Sequence, residues 1–358
     1  MTTKKPEISG LLVVDKPQGV TSHDVVAAIR GALHMKRVGH AGTLDPMATG
    51  VLVIGFGNAT RLLNYIVDHS KTYLATIRLG QRTATDDADG ELLEPSAPIA
   101  EAFPSRETVE RVIAERFTGR IEQVPNSYSA IKINGQRAYD LARDGQEVRL
   151  KARPVTIHEF AVLDARPVLV ATAAGEQSGG SPEGRTPGDD ESRDGSVPAL
   201  DVDVRVACSA GTYIRALARD LGEALGVGGH LTRLRRTRVG RYRAEDPRTV
   251  TAHTEQRTFT TRDGETVTRS RAVLDASGDE LAARALPMVE AASAAMPVIE
   301  VSDVAAADLR FGRRIRVAGA TPRGGRLAAV VPERHDLVAI VEPCGHGMAK
   351  PVTVFPVE

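Results

Sequence analysis

Tryptophan is absent from the 358-residue chain, aromatic residues make up only 4% of it, and cysteine occurs twice. Cys208 and Cys344 lie far apart, and His346 near Cys344 has no further ligand pair beside it, so neither a disulfide framework nor a zinc site is indicated. This usage fits a reducing cytoplasm. The chain also lacks net charge, since 46 Lys and Arg balance 46 Asp and Glu, and any grip on a polyanion must come from local segregation of charge. A long apolar run is missing from the start. Met1-Thr2-Thr3-Lys4-Lys5-Pro6 is followed only by Leu11 to Val14, too few residues for a signal peptide or a spanning helix. A cytosolic protein without a membrane partner is expected. The apolar share of 42% suits a soluble globular chain with room for about two domains.

Leu11 to Val14 predicts a buried strand, ended by the turn Asp15-Lys16-Pro17-Gln18-Gly19. Thr21-Ser22-His23-Asp24 resembles a capping box with Asp in place of Glu, and Val25, Val26, Ile29 and Leu33 recur at helical spacing after it. Val51 to Ile54 predicts another strand. Gly55-Phe56-Gly57-Asn58-Ala59-Thr60 superficially resembles a dinucleotide fingerprint, but Thr60 replaces the third glycine and no βαβ alternation surrounds it. Thr60 is expected instead to cap a helix carrying Leu62, Leu63, Ile66 and Val67.

Tyr73 to Leu79 alternates as a half-buried strand with a polar exit through Asp87, and a helix is predicted over residues 107–117. A strand, a turn at Asn134-Gly135 and a helix carrying Tyr139, Leu141 and Ala142 follow. Lys132, just before that turn, reads equally well as a surface lysine or as a phosphate contact. Residues 175–198 hold 6 Gly, 4 Ser and 3 Pro, a composition that cannot bury a core and predicts a flexible insertion. Leu200 to Cys208 alternates as a strand, and a helix over 213–225 places Arg215 in its first turn, off the apolar stripe. Residues 250–272, polar and Thr-rich without a clear period, are expected to be a second insertion. From Met296 short strands separated by Gly and Pro turns predict a small β-barrel or sandwich, basic in its leading half through Arg310, Arg313, Arg314, Arg316, Arg323 and Arg326.

Two stretches carry chemistry. Between His230 and Arg243 there are six arginines and no acid, which is either a solvated basic face or a surface for a polyanion. Gly39-His40-Ala41-Gly42-Thr43-Leu44-Asp45-Pro46-Met47-Ala48-Thr49-Gly50 puts three glycines and a proline around one His and one Asp ahead of an apolar strand. Alone, Asp45-Pro46 reads as a self-capping turn, Tyr73 as an ordinary strand aromatic, and His40 as a loop histidine bonded to backbone.

Together with Lys71-Thr72-Tyr73, Tyr128-Ser129-Ala130-Ile131-Lys132, Gly211-Thr212-Tyr213-Ile214-Arg215 and Leu234-Arg235-Arg236, that loop resembles the TruB-type tRNA pseudouridine synthases in sequence and order. The resemblance spans nearly the whole chain. It implies an α+β catalytic domain on a bent mixed or antiparallel sheet over residues 1–290, a small C-terminal PUA-like RNA-binding domain over 296–358, and isomerisation of uridine 55 in the tRNA T loop. Asp45 looks like the catalytic aspartate, Tyr73 like the ring over the target uracil and the acceptor of its C5 proton, and Arg215 like the partner of Asp45. His40, Lys132, Tyr213, Leu234, Arg235 and Arg236 fall on the substrate-binding motifs. Asn126 departs from the family, which more often has a second proline after the one matching Pro125.

The reaction cleaves the bond from C1′ to N1, turns the uracil and joins C5 to C1′ without net oxidation, so no nicotinamide and no metal is called for. The carboxylate must be ionised, and a guanidinium such as that of Arg215 opposes the rise in pKa that burial causes. The sequence leaves open whether Asp45 attacks C1′ or takes a sugar proton. Flipping the base costs on the order of a few kcal/mol, against about 1–3 kcal/mol from stacking on an aromatic ring. tRNA is the expected partner, held by its T arm; no protein partner is implied and a monomer is expected. A non-catalytic RNA-folding protein and a guide-dependent isomerase are the competing readings.

Overall fold

The computed structural model describes residues 8–93, 103–126, 132–133, 136–137, 150–171, 196–317 and 325–357. Two compact units divide the chain, one formed by residues 1–69 with 236–358 and the other by 70–235.

The first unit opens with β1 (Gly10–Lys16), α1 (Ser22–Leu33), β2 (Val38–Ala41) and β3 (Thr49–Phe56), followed by a 3-10 turn over Gly57–Arg61 and the short α2 (Leu63–Ile66). β1 and β3 pair antiparallel along their length, with Gly10 opposite Phe56 and Lys16 opposite Gly50, and β2 folds back onto β3. Their unbroken apolar runs follow from burial on both faces. Leu11, Val13, Val51 and Val53 enter one core, whereas Leu12, Val14, Leu52 and Ile54 enter a second with Val25, Val26 and Ile29 of α1. The capping box forms as expected: Thr21 accepts from the Asp24 amide, and the Asp24 carboxylate accepts from the Thr21 amide at 2.7 Å. Thr60 does not cap α2. Its hydroxyl donates to the Gly57 carbonyl at 2.8 Å, because a 3-10 turn brings the carbonyl three residues back within reach.

In the second unit come β4 (Lys71–Leu79), β5 (Arg82–Thr83), β6 (Leu92–Leu93), α3 (Arg106–Arg116), β7 (Gly119–Gln123), β8 (Lys132–Ile133), β9 (Gln136–Arg137), β10 (Arg153–Ala171), β11 (Ser196–Cys208) and α4 (Ile214–Ala224). β12 (Gly229–Val239) ends it, its last four residues belonging to the first unit. The sheet runs β4-β11-β10-β7, antiparallel throughout, with irregularities in β10 between Ile157 and Glu159 and between Val162 and Asp164. β8 and β9 pair antiparallel, Lys132 opposite Arg137 and Ile133 opposite Gln136, and the expected Asn134-Gly135 turn lies outside the described residues. Tyr128 to Ile131, the helix expected around Tyr139, and residues 175–195 lie outside the described residues.

Back in the first unit are β13 (Tyr242–Arg243), β14 (Val250–Thr260), β15 (Thr266–Leu274), α5 (Gly278–Arg284) and α6 (Met288–Ala295). β14 lies parallel to β1, Val14 opposite Val250, and β15 pairs antiparallel with β14. Residues 250–272 therefore form a regular hairpin, not the irregular segment the sequence suggested. Only its base is buried, at Val250 and Ala272, so little of it carries an inside–outside alternation to read. The C-terminal part contains β16 (Val298–Glu300), α7 (Asp303–Arg310), β17 (Ile315–Arg316), β18 (Leu327–Val331), β19 (Asp336–Pro343) and β20 (Met348–Val354), in the sheet order β16-β18-β19-β20-β17. The strands expected there form; β16 and α7 are additions. Among the described residues no helix is long and apolar enough to cross a membrane.

Candidate active site

Asp45 lies, half-buried, in the loop that joins β2 to β3. Leu44, Met47 and Ala48 around it are buried, so the loop is anchored through its own apolar side chains. Two buried cations hold its backbone. Lys16 has no exposed surface, and its ammonium donates to the carbonyls of Pro17, Val20 and Pro46 at 2.8, 2.6 and 3.2 Å. Arg236, 1% exposed, donates from Nε to Val51 at 2.8 Å, from Nη2 to Gly42 at 3.0 Å and from Nη1 to Thr43 at 3.4 Å. Ser22 closes a third tie, its Oγ accepting from the Leu44 amide at 2.9 Å and lying 3.1 Å from the Leu44 carbonyl. Backbone carbonyls that bond a buried cation are held by charge-assisted bonds, roughly twice as strong as neutral ones.

Gly50 makes this geometry possible. Its φ is +102°, and a Cβ there would stand 2.1 Å from the Arg236 carbonyl oxygen. Arg236 was placed by its motif among the substrate-binding residues; the structure buries it beneath the loop. The arginine run is not one face, because a strand turns successive side chains to opposite sides. Arg233, Arg241 and Arg243 are exposed, while Arg235 and Arg238 are half-buried. His40 sits on β2 beside the loop. Burial, then the positive charge of Arg236 and of His23, holds its imidazole below the usual histidine range. Its Nδ1 is buried without a hydrogen-bond partner among the described residues.

The second unit carries the other expected residues. Tyr73 is buried on β4, opposite Val206 of β11, and Leu234 is buried on β12. Tyr213 stands at the N-cap of α4, where no side chain of its own caps the helix. Gln123 instead clamps the Tyr213 backbone, accepting from its amide at 2.8 Å and donating to its carbonyl at 2.9 Å. Arg215 in the first turn is buried, donates to the Thr85 carbonyl at 2.9 Å and pairs with Asp87 at 3.2 Å. Next to this pair Arg219 bonds Asp86 at 3.0 Å and the Val124 carbonyl at 2.8 Å. Burial raises the Asp86 carboxyl above the usual range, against hydrogen bonding from Asn126 and the charges of Arg219 and Arg215. Lys132 lies on β8, its backbone opposite Arg137 of β9.

Sequence reading missed Lys16, Ser22, Gln123 and Asp87. Asp86-Asp87 reads as a polar strand exit, although two adjacent acids after a buried strand, with arginines elsewhere in the chain, are a signal for a paired cation. Lys16 was hidden inside a turn motif.

The fold is that of the pseudouridine synthases. A solved structure described as "Crystal Structure of a Cbf5-Nop10-Gar1 Complex" superimposes with a TM-score of 0.61 at 25% identity, covering 98% of this chain and 84% of that one. Residues 30–180 match the family model of the TruB family pseudouridylate synthase (N terminal domain), and residues 215–288 that of the tRNA pseudouridylate synthase B C-terminal domain. Relatives named tRNA pseudouridine synthase B include those of Bifidobacterium longum (strain DJO10A), 55% identical over 97% of this chain and 98% of that protein, and Thermobifida fusca (strain YX), 46% identical over 97% and 98%. The chain belongs to the TruB family of pseudouridylate synthases.

Proposed function

We propose that this protein converts uridine 55 in the T loop of tRNA to pseudouridine, with Asp45 as the carboxylate that acts at the sugar. The observation that carries the reading is a half-buried aspartate on a loop tied down from beneath by Lys16, Ser22 and Arg236, in a chain of this family. An RNA-folding protein needs no carboxylate so placed, because a carboxylate repels the phosphates it would meet. A nucleophile or base that must meet one atom of a flipped nucleotide needs a fixed loop.

Further roles follow the family motifs. Tyr73 stacks on the target uracil, Arg215 supplies the cation that keeps the catalytic carboxylate ionised, and Leu234 forms a wall for the base. Tyr213, Lys132 and Arg235 serve substrate binding, and His40 enters the RNA loop. Held neutral by its surroundings, the His40 ring can stack where a base has left without bringing a charge with it. Residues 1–290 form the catalytic domain and 296–358 a PUA-like RNA-binding domain. The enzyme works in the cytosol, as a monomer, on tRNA through its T arm, without a protein partner or a cofactor.

The test is release of tritium from C5-labelled uridine in a T-arm transcript. Asp45→Asn is expected to bind the transcript like wild type and release no label. Turnover at the wild-type rate would remove Asp45 from the reaction.

A further inference from the structure

Cross-strand neighbours in the β14–β15 hairpin sort its side chains onto two faces. On one face Gln256 donates to Ser270 at 3.0 Å, and the hydroxyls of Thr258 and Thr268 bond at 2.8 Å, a neutral ladder that satisfies itself. On the other, the register sets Glu255 opposite Arg271, Arg257 opposite Arg269, and Phe259 opposite Val267. Glu255 and Arg271 pair at 3.3 Å. Arg257 and Arg269 are like charges held face to face, and neither has an acidic partner among the described residues. The guanidinium of Arg269 lies 5.5 Å from the Phe259 ring centroid, which limits its swing, and the ring itself is 40% exposed.

Directly opposed side chains on antiparallel strands stand about 4.5–5.5 Å apart at Cβ, and like charges there destabilise the pair. The hairpin's own folding would favour an acid at one of the two positions. A shared anion removes the conflict, since one phosphate accepts from two guanidinium groups at once. Position points to the source of that phosphate. Thr254 at the base of the hairpin donates to the Gln18 carbonyl at 2.6 Å, and the Gly19 amide donates to the Pro46 carbonyl at 2.9 Å. The hairpin thus springs from beside the Asp45 loop. Six residues of strand beyond Thr254 reach about 20 Å from it. At the tip Arg262, Asp263 and Glu265 are all exposed, so charge there is mixed and the pair of unopposed arginines lies in the middle of the arm.

We propose that the β14–β15 hairpin is an RNA-binding arm, in which Arg257 and Arg269 share a backbone phosphate of the tRNA substrate outside the nucleotides that enter the active site. This rests on the reading that the Asp45 loop receives tRNA. The arm adds affinity and takes no part in the chemistry.

Arg257→Glu separates folding from binding, because it places an acid opposite Arg269. Its melting temperature is expected to equal or exceed that of wild type. KM for full-length tRNA should rise on the order of tenfold with kcat unchanged, and the slope of log affinity against log salt should fall by about 1. Arg269→Ser should show the same change in KM and slope. Arg111→Glu on exposed α3 is the control for an equal change of net charge. Wild-type KM and salt slope in both hairpin variants, or a loss in the control as large as theirs, would overturn the proposal. Turnover by Asp45→Asn tells the two readings apart. If Asp45→Asn still turns over, the Asp45 assignment fails while the salt slopes continue to report on the arm.

Discussion

Replacing Gly50 by alanine tests how far the chemistry depends on the rigidity of the Asp45 loop. The added Cβ would meet the Arg236 carbonyl oxygen at 2.1 Å and its carbonyl carbon and amide nitrogen at 2.9 Å. Reaching an ordinary contact of 3.4 Å requires the start of β3 and the Arg236 backbone to part by about 1.3 Å. That movement stretches the Arg236 bonds to Gly42 and Val51, at 3.0 and 2.8 Å, beyond hydrogen-bonding distance. A left-handed φ costs an alanine about 1–2 kcal/mol, and overpacking about 1–3 kcal/mol, so the variant should lose about 2–5 kcal/mol. A domain stable by about 5–15 kcal/mol still folds at room temperature. Misplacing a reacting group by about 1 Å costs on the order of a hundredfold in rate. Single-turnover tritium release at saturating enzyme should therefore fall about a hundredfold, with T-arm affinity retained and a lowered melting temperature. A wild-type rate in a variant whose melting temperature has dropped would refute the link between this backbone contact and the position of Asp45.

Two further outcomes follow from buried charge. Asp87→Asn removes the carboxylate that pairs with the buried Arg215 guanidinium at 3.2 Å, and breaking a buried pair costs about 3–5 kcal/mol; thermal melting should drop and turnover slow, and an unchanged melting curve would show that the pair is not needed. His40 has its folded pKa below the unfolded value, so its contribution to stability is present above the unfolded pKa, about 6.5, and is lost as pH falls through the folded one. Melting temperature measured from pH 7.5 downward should decline less steeply in His40→Gln than in wild type, and parallel curves would refute the assignment.

What could be read from the residues alone was whatever two-sided burial or glycine spells out. The apolar runs of β1 and β3, the capping box at Thr21 and the glycine frame of the Asp45 loop all have local signatures, and all form as read. Long-range pairing has none. Nothing near Arg236 announces that it will bond carbonyls almost 200 residues away, and an arginine in a basic run reads as surface. Asp87 likewise gains its meaning only when the chain returns with Arg215. The hairpin at 250–274 escaped because threonine and charge alternate there without a buried face to set the phase. α7 was missed because its run Val304-Ala305-Ala306-Ala307 gives little contrast between its sides.

Because β1 is apolar on both faces, polarity cannot fix its register: a slip of one residue would exchange Leu11 and Val13 for Leu12 and Val14 and still bury four aliphatic side chains. What breaks that degeneracy is the end of the strand. Lys16 bonds the carbonyls of Pro17 and Val20 within its own turn whatever the register, but it completes its third bond, to the Pro46 carbonyl across the loop, when it stands opposite Gly50. The lysine that steadies the site thus also marks the sheet's alignment, because a slip of β1 against β3 forfeits the one bond that joins it to the loop of Asp45.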